Sequence, residues 1–336
     1  MDFSCFDNMQ EVINRERLEE ISKTRQLRFY WGTAPTGQPH LGYVFPLIQI
    51  ARMIKAGMHC TILFADRHAA LDNNKTEWSK LDARTEFYTI LIKAILQKAG
   101  ADLESIRFVK GSDFQRTPTY TDDLLRLSTC VTVKQAQKAT VEVIKKNKNP
   151  PLSNLIYPLM QALDEIYLET DFEFGGIDQR NIFMFALENL KSLGHNKNRS
   201  YAMNPIIPSL SKSGKMSASD SKSKIGMLDS NEDILKKSRG AFSIDGTVED
   251  NGVVAIYKYI FFQLYDKITI ERPEKYGGNK MYLSYSDLEL DFVNGDILSI
   301  DLKSTMGKLL CDLISPIREE ILSKHSELLA HAYPDD

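Results

Sequence analysis

The sequence predicts an α/β protein, a doubly wound parallel sheet over residues 1–225 followed by a smaller, mainly helical domain over 226–336. Three observations lead there. Between residues 27 and 109, apolar strand-length runs alternate with helix-length amphipathic segments, the pattern of parallel strands joined by crossover helices. A chain of 336 residues is long for one core and suits two domains. Beyond about Gly226 strand-like runs become scarce and helical periodicity dominates.

In chain order, an amphipathic helix is expected from Asn8 to about Ser22, then a buried strand at Leu27–Trp31 and a turn at Pro35–Gly37. Apolar residues recur at helical spacing from Leu41 to about Lys55, and His59–Asp66 reads as a second central strand. A long helix from about Trp78 to Lys98 precedes a strand at Ile106–Val109, and helices dominate to Leu168. Asp171–Phe174 reads as a short strand, Gly175 and Gly176 as a sharp bend, Gln179 as the start of a helix and Tyr201–Met203 as a further strand. Residues 209–223, rich in Ser, Lys and Gly without apolar periodicity, have the composition of a surface loop. Helices are then expected over 231–240, 252–264 and 302–329, with a short strand at 267–271.

Hydrophobic content of 43% with 26% charged residues is that of an ordinary globular protein, and no apolar run approaches membrane-spanning length. The N-terminus lacks the features of a signal or transit peptide, so a cytoplasmic location is expected, without membrane association. Four widely separated cysteines suggest neither a zinc site nor a disulfide framework, and no structural metal is expected. A net charge of −3 excludes a generally basic nucleic-acid coat, yet leaves room for local basic patches such as Lys134, Lys138, Lys145, Lys146 and Lys148, or Lys212, Lys215, Lys222 and Lys224.

Two segments carry the chemistry of phosphate. His40-Leu41-Gly42-Tyr43 lies where strand gives way to helix, so backbone donors and the positive helix start can face phosphate oxygens while Gly42 permits close approach. By itself, His40 reads equally as a cap or packing residue. Lys215-Met216-Ser217-Ala218-Ser219 puts a cation beside hydroxyls in the expected loop, where it could swing onto a departing pyrophosphate. A third set lies on one helix face: Tyr157, Gln161 and Asp164, at i, i+4 and i+7 among apolar neighbours, which fits either the wall of a cavity or, for Asp164, a surface ion pair. Gly175-Gly176-Ile177-Asp178-Gln179-Arg180 supplies either a ligand-approach turn or a capped tight turn.

Together, the two phosphate segments resemble the paired HIGH and KMSKS signatures of class I aminoacyl-tRNA synthetases, with Tyr43 in place of the second His and Ala218 in place of the second Lys. The segment Tyr157–Asp164 followed by Gly175–Arg180 resembles the tyrosine-binding core of tyrosyl-tRNA synthetases of the eukaryotic cytoplasmic and archaeal type, and the likeness covers nearly the whole chain. The resemblance implies a Rossmann-like first domain and an anticodon-binding second one. It implies Tyr30 and Asp164 at the phenolic hydroxyl of L-tyrosine, and Tyr157, Gln161 and Gln179 at its α-amino group. ATP, with Mg²⁺, would meet Gly32, Gly37, His40, Gly42, Gly176, Asp178, Lys215, Ser217 and Ser219, with His40 and Lys215 touching the transition state and Gly176 and Asp178 the ribose. A site that pairs a buried hydroxyl rejects phenylalanine without editing, a rule for which tyrosyl enzymes are themselves the standing example.

Further along, Tyr276 and Asp301 match the residues that stack on and hydrogen-bond the first anticodon base of tRNA(Tyr) in that family. A homodimer is implied, with its interface in a helical insertion around 114–146. Two alternatives remain open from sequence: a tryptophanyl-tRNA synthetase, which shares the architecture, and a noncatalytic, synthetase-derived RNA-binding protein.

Overall fold

A computed structural model describes residues 2–144, 148–195, 198–212 and 224–334. Its centre is a six-stranded sheet in the order β1-β6-β5-β2-β3-β4. The strands are β1 (Glu11–Ile13), β2 (Arg28–Thr33), β3 (His59–Phe64), β4 (Ile106–Lys110), β5 (Phe172–Gly176) and β6 (Ser200–Asn204). All neighbouring pairs are parallel except β1 with β6. The expected doubly wound sheet is therefore present, with an antiparallel edge strand that the sequence reading placed inside a helix. Asn14 explains the difference. It adopts a left-handed backbone at φ 55°, which ends β1 and lets the helix begin only at Arg15. Tertiary pairing of Val12 with Ala202 then outweighs the local helical pattern.

Helices cover both faces of the sheet, so its central strands are buried on both sides; in β3 every residue after His59 is buried. Phe29 stacks on Phe172 of the neighbouring strand at 5.1 Å and meets Phe174 edge-on at 6.5 Å, filling the layer beneath the helices. Asp66, read as the end of a strand, instead opens the helix Asp66–Leu71. Gly175 and Gly176 are the last residues of β5 and make no bend there. Their small size serves contact: a Cβ on Gly175 would meet the Phe183 ring at 2.9 Å, and one on Gly176 the Asp178 carboxylate at 2.6 Å.

In the C-terminal part, helices Asn231–Gly240, Tyr285–Asn294 and Ser299–Lys324 pack with a small antiparallel hairpin of β7 (Ile268–Ile270) and β8 (Lys280–Tyr282). One apolar core runs through both parts, from Phe6 and Leu18 to Leu302 and Tyr333. The segments also interlock at the backbone. Leu41 N–H donates to Ile225 O at 2.8 Å and Met227 N–H to Pro39 O at 3.1 Å, around a bridge between His40 and Gly226.

Candidate active site

From β2 in the middle of the sheet, the chain proceeds outward through β3 and β4 on one side and β5 and β6 on the other. The carboxyl ends of β2 and β5 thus form a switch point, where open α/β sheets bind ligands. A cavity of about 350 Å³ opens there. It is lined by Tyr30 and Gly32 from β2, by Tyr157, Gln161 and Asp164 from the helix Ser153–Tyr167, and by Gly176, Asp178 and Gln179 at the end of β5, with His40 and Gly42 at its other side. Of the residues singled out for tyrosine, all five meet here.

At one end Asp164 is held by two residues through three hydrogen bonds. Gln115 Nε2 donates to both its carboxylate oxygens at 2.8 and 3.0 Å, and Tyr120 Oη donates at 2.8 Å. Burial pushes its pKa up to about 8, against the downward pull of those donors. Tyr30 is equally buried, and its hydroxyl has no hydrogen-bond partner of normal geometry. A buried hydroxyl without a partner is costly, so this atom is built for something that enters the cavity.

Towards the middle, Gln161 Nε2 donates to Gln179 Oε1 and to Glu173 Oε1, both at 3.2 Å. That leaves the amide oxygen of Gln161 and the Tyr157 hydroxyl among the groups lining the space. The Tyr157 ring sits edge-on to His68 at 4.6 Å.

At the other end His40 caps the short turn Leu41–Tyr43, its Nδ1 accepting from Gly42 N–H at 3.2 Å. Accepting at Nδ1 assigns the proton to Nε2, which is thereby left as a donor. Burial, with Lys224 nearby, lowers the His40 pKa to about 4, so the ring is neutral at pH 7. Gly42 is required by this arrangement: a Cβ there would meet the imidazole at 2.8 Å. Tyr43 braces the same ring edge-on at 5.5 Å. Gly32 has no close protein neighbour on its Cβ side, the nearest being Leu63 at 3.8 Å, so its open face belongs to the cavity.

Not every expected residue lines this space. Gly37 is outside the lining set; its carbonyl accepts from Tyr88 Oη at 2.6 Å and Tyr333 Oη at 3.3 Å, which ties down the loop before His40. Lys215, Ser217 and Ser219 lie outside the described residues, as do Lys145, Lys146 and Lys222. Tyr276 is 63% exposed on the turn Glu274–Tyr276, with Lys275 over its ring. Asp301 caps the helix Ser299–Lys324, accepting from Leu298 N–H at 3.2 Å. Arg272 links their surroundings, donating to Gly278 O at 3.0 Å and Asp296 O at 2.6 Å.

Several lining or supporting residues escaped the sequence reading. Gln115 and Tyr120 fall in the stretch read as an insertion for subunit contact, yet they support Asp164. His68 is fully enclosed, neither ring nitrogen makes a hydrogen bond of normal geometry, and burial lowers its pKa to about 4 against a weak upward pull from the Tyr157 backbone. Asn204 also has both amide atoms buried without partners, facing a smaller chamber shared with His40, Gly42 and Asp178. Glu173 offered one visible signal, an acid between two aromatic residues in a central strand.

The family model of class I tRNA synthetases for tryptophan and tyrosine matches residues 22–310, and the chain belongs to that family. Among its relatives, the chain is similar to the cytoplasmic tyrosine–tRNA ligase of Danio rerio, 47% identical over 98% of this chain and 62% of that protein. It is 42% identical to the cytoplasmic tyrosine–tRNA ligase of Saccharomyces cerevisiae over 97% of this chain and 86% of the yeast protein. The tyrosyl-tRNA synthetase of Archaeoglobus fulgidus, solved with L-tyrosine, has a TM-score of 0.88 at 33% identity, covering 94% of this chain and 97% of that one. The chain spans 62% of the length of the vertebrate relatives it matches.

Proposed function

We propose that the chain is a tyrosine–tRNA ligase, which activates L-tyrosine with ATP and transfers the tyrosyl group to the terminal adenosine of tRNA(Tyr). The observation that carries this reading is the deep end of the cavity, where an unpartnered Tyr30 hydroxyl and the Asp164 carboxyl stand ready for a phenolic hydroxyl. An indole has no hydroxyl to offer them, which disfavours tryptophan. The names of the relatives support the same substrate.

In this reading Tyr157, Gln161 and Gln179 hold the ammonium group, and the tyrosine carboxylate is directed at the α-phosphorus of ATP. One carboxylate oxygen forms the new bond to phosphorus as the bond to the bridging oxygen breaks, and pyrophosphate leaves. The carboxylate is already ionised at neutral pH, so positioning and charge stabilisation suffice without a general base. His40 donates from Nε2 to the phosphate, Lys215 with Ser217 and Ser219 meets the triphosphate, Gly32 and Gly42 shape the nucleotide's approach while Gly37 anchors the loop before His40, and Gly176 with Asp178 receives the ribose. Mg²⁺ travels with the triphosphate and neutralises part of its charge, with no protein-held metal required.

The second step places tRNA across both domains, residues 1–225 and 226–336, with Tyr276 and Asp301 at the anticodon. A homodimer through the 114–146 region and a cytoplasmic location complete the proposal; no helix among the described residues is long and apolar enough to cross a membrane. The test is amino-acid-dependent ATP–pyrophosphate exchange with purified protein. Exchange with tyrosine and not tryptophan is expected. Activity with tryptophan alone, or no adenylate with either, overturns the proposal.

A further inference from the structure

Glu173 sits at the floor of the cavity and is 5% exposed. Across the parallel pair of β5 and β2 it stands directly opposite Tyr30. Its two oxygens have different surroundings. Oε1 accepts from Gln161 Nε2 at 3.2 Å, whereas Oε2 is buried without a partner, like the Tyr30 hydroxyl in the strand beside it. Among the acids around Tyr30, Glu173 acts on its hydroxyl most strongly. Two orphaned polar groups on paired strand positions, in one cavity, are satisfied together by a small side-chain rotation or by a ligand that bridges them.

We propose that Glu173 is a positioning residue of the amino-acid pocket, tying Gln161 at the amino end to Tyr30 at the phenol end through a single carboxyl group. The inference rests on the tyrosine reading above.

The character of that group follows from its neighbours. Asp164 and Glu165 face it from the helix Ser153–Tyr167, Tyr201 from β6 and Tyr30 from β2. Glu165 is itself engaged by Arg199 at 3.3 Å and by Tyr201 Oη at 3.0 Å, which leaves no cation for Glu173 among the groups acting on it. Burial, then the charge of Glu165, raises the Glu173 carboxyl well above the ordinary carboxylate range. Burial therefore favours the protonated form of Glu173, which accepts from Gln161 on one oxygen and, when protonated, can donate from the other. If Oε2–H donates to the Tyr30 oxygen, the Tyr30 hydroxyl proton is directed to the phenolic oxygen of the substrate. A glutamine in this position reproduces both bonds, with its oxygen facing Gln161 and its amide facing Tyr30.

The experiment is steady-state ATP–pyrophosphate exchange on the full chain and on Glu173→Gln, Glu173→Ala and Glu173→Met, with thermal melts confirming that each is folded. Glu173→Ala is expected to raise KM for tyrosine by about tenfold or more, with kcat and KM for ATP within about threefold of the parent. Glu173→Gln is expected to recover most of that loss. Glu173→Met, an unbranched apolar chain of similar length, stands in if the alanine variant does not fold, and the same loss is expected. An unchanged tyrosine KM in both Ala and Met variants overturns the role of Glu173. A Gln variant as weak as Ala overturns the neutral bridge, since it makes charge the requirement. A parent chain inert with tyrosine refutes the functional reading and this inference with it, whereas an active parent with unaffected variants refutes this inference alone.

Discussion

At the amino-acid end of the cleft, polar side chains from one strand, three helical segments and the turn at Gln115 hold one another: Gln115 and Tyr120 hold Asp164, and Gln161 joins Glu173 to Gln179. At the nucleotide end the described arrangement is sparser, a single imidazole fixed by the backbone it caps, glycines and the Asp178 side chain. The contrast matches what each half must recognise. A phenol and an ammonium are small, fixed targets that reward a rigid set of bonds, while a triphosphate changes charge and shape during reaction. Rigid recognition is concentrated where specificity is decided.

Substitutions at the two ends should separate in kinetics. The largest effect is expected for His40→Ala, which removes a donor aimed at developing charge: kcat for exchange falls by about 10²–10³, with tyrosine KM little changed. Asp164→Ala should reverse that split, raising tyrosine KM by about 10–10² and leaving ATP KM in place, because it removes an acceptor and strands Gln115 and Tyr120. If both variants lose only kcat, the division of labour between the ends is wrong. Tyr30→Phe should be milder, weakening tyrosine by about three- to tenfold while leaving the melting temperature of the free protein nearly unchanged, since within the fold the deleted hydroxyl makes no hydrogen bond of normal geometry beyond the proposed tie to Glu173. A clear fall in melting temperature would show that Tyr30 serves the fold instead.

A separate effect is on pH dependence. The Asp164 carboxyl titrates near 3.8 when the chain is unfolded and about 8 when folded, so between those limits the unfolded state releases the proton that the folded state keeps. Its contribution is most favourable below pH 4 and is lost as pH rises through about 8. Denaturant titrations from pH 5 to 8 should therefore show Asp164→Asn gaining stability relative to the parent as pH rises. A difference that stays flat with pH would place the Asp164 pKa near its ordinary value.

How much of this was legible beforehand follows from the range of the signals. Tyr157, Gln161 and Asp164 share a helix face, and helical spacing alone brings them together. His40 and Gly42 sit two residues apart, so their mutual fit is local. Gln115, Tyr120, His68 and Asn204 have no such regularity: each acts through a partner some 40 residues or more away, or through its enclosure, and tertiary packing alone decides that. The same holds for β1, whose strand character is imposed by Ala202 and its neighbours in β6. Gly175 and Gly176 were legible as glycines with a purpose, but composition could not tell a bend from a close contact.

The hydroxyl of Tyr333 reaches Gly37 across 296 positions of sequence. A ribosome adding roughly 5–20 residues per second needs on the order of 15–60 s to cover that interval. Throughout that time the loop ahead of His40 lacks one of its two tyrosine ties, while the sheet beneath it can form once β6 (Ser200–Asn204) has emerged. The cleft is therefore finished from the far end of the chain, and a nascent polypeptide interrupted before Tyr333 would carry the sheet with its nucleotide loop still untethered on that side.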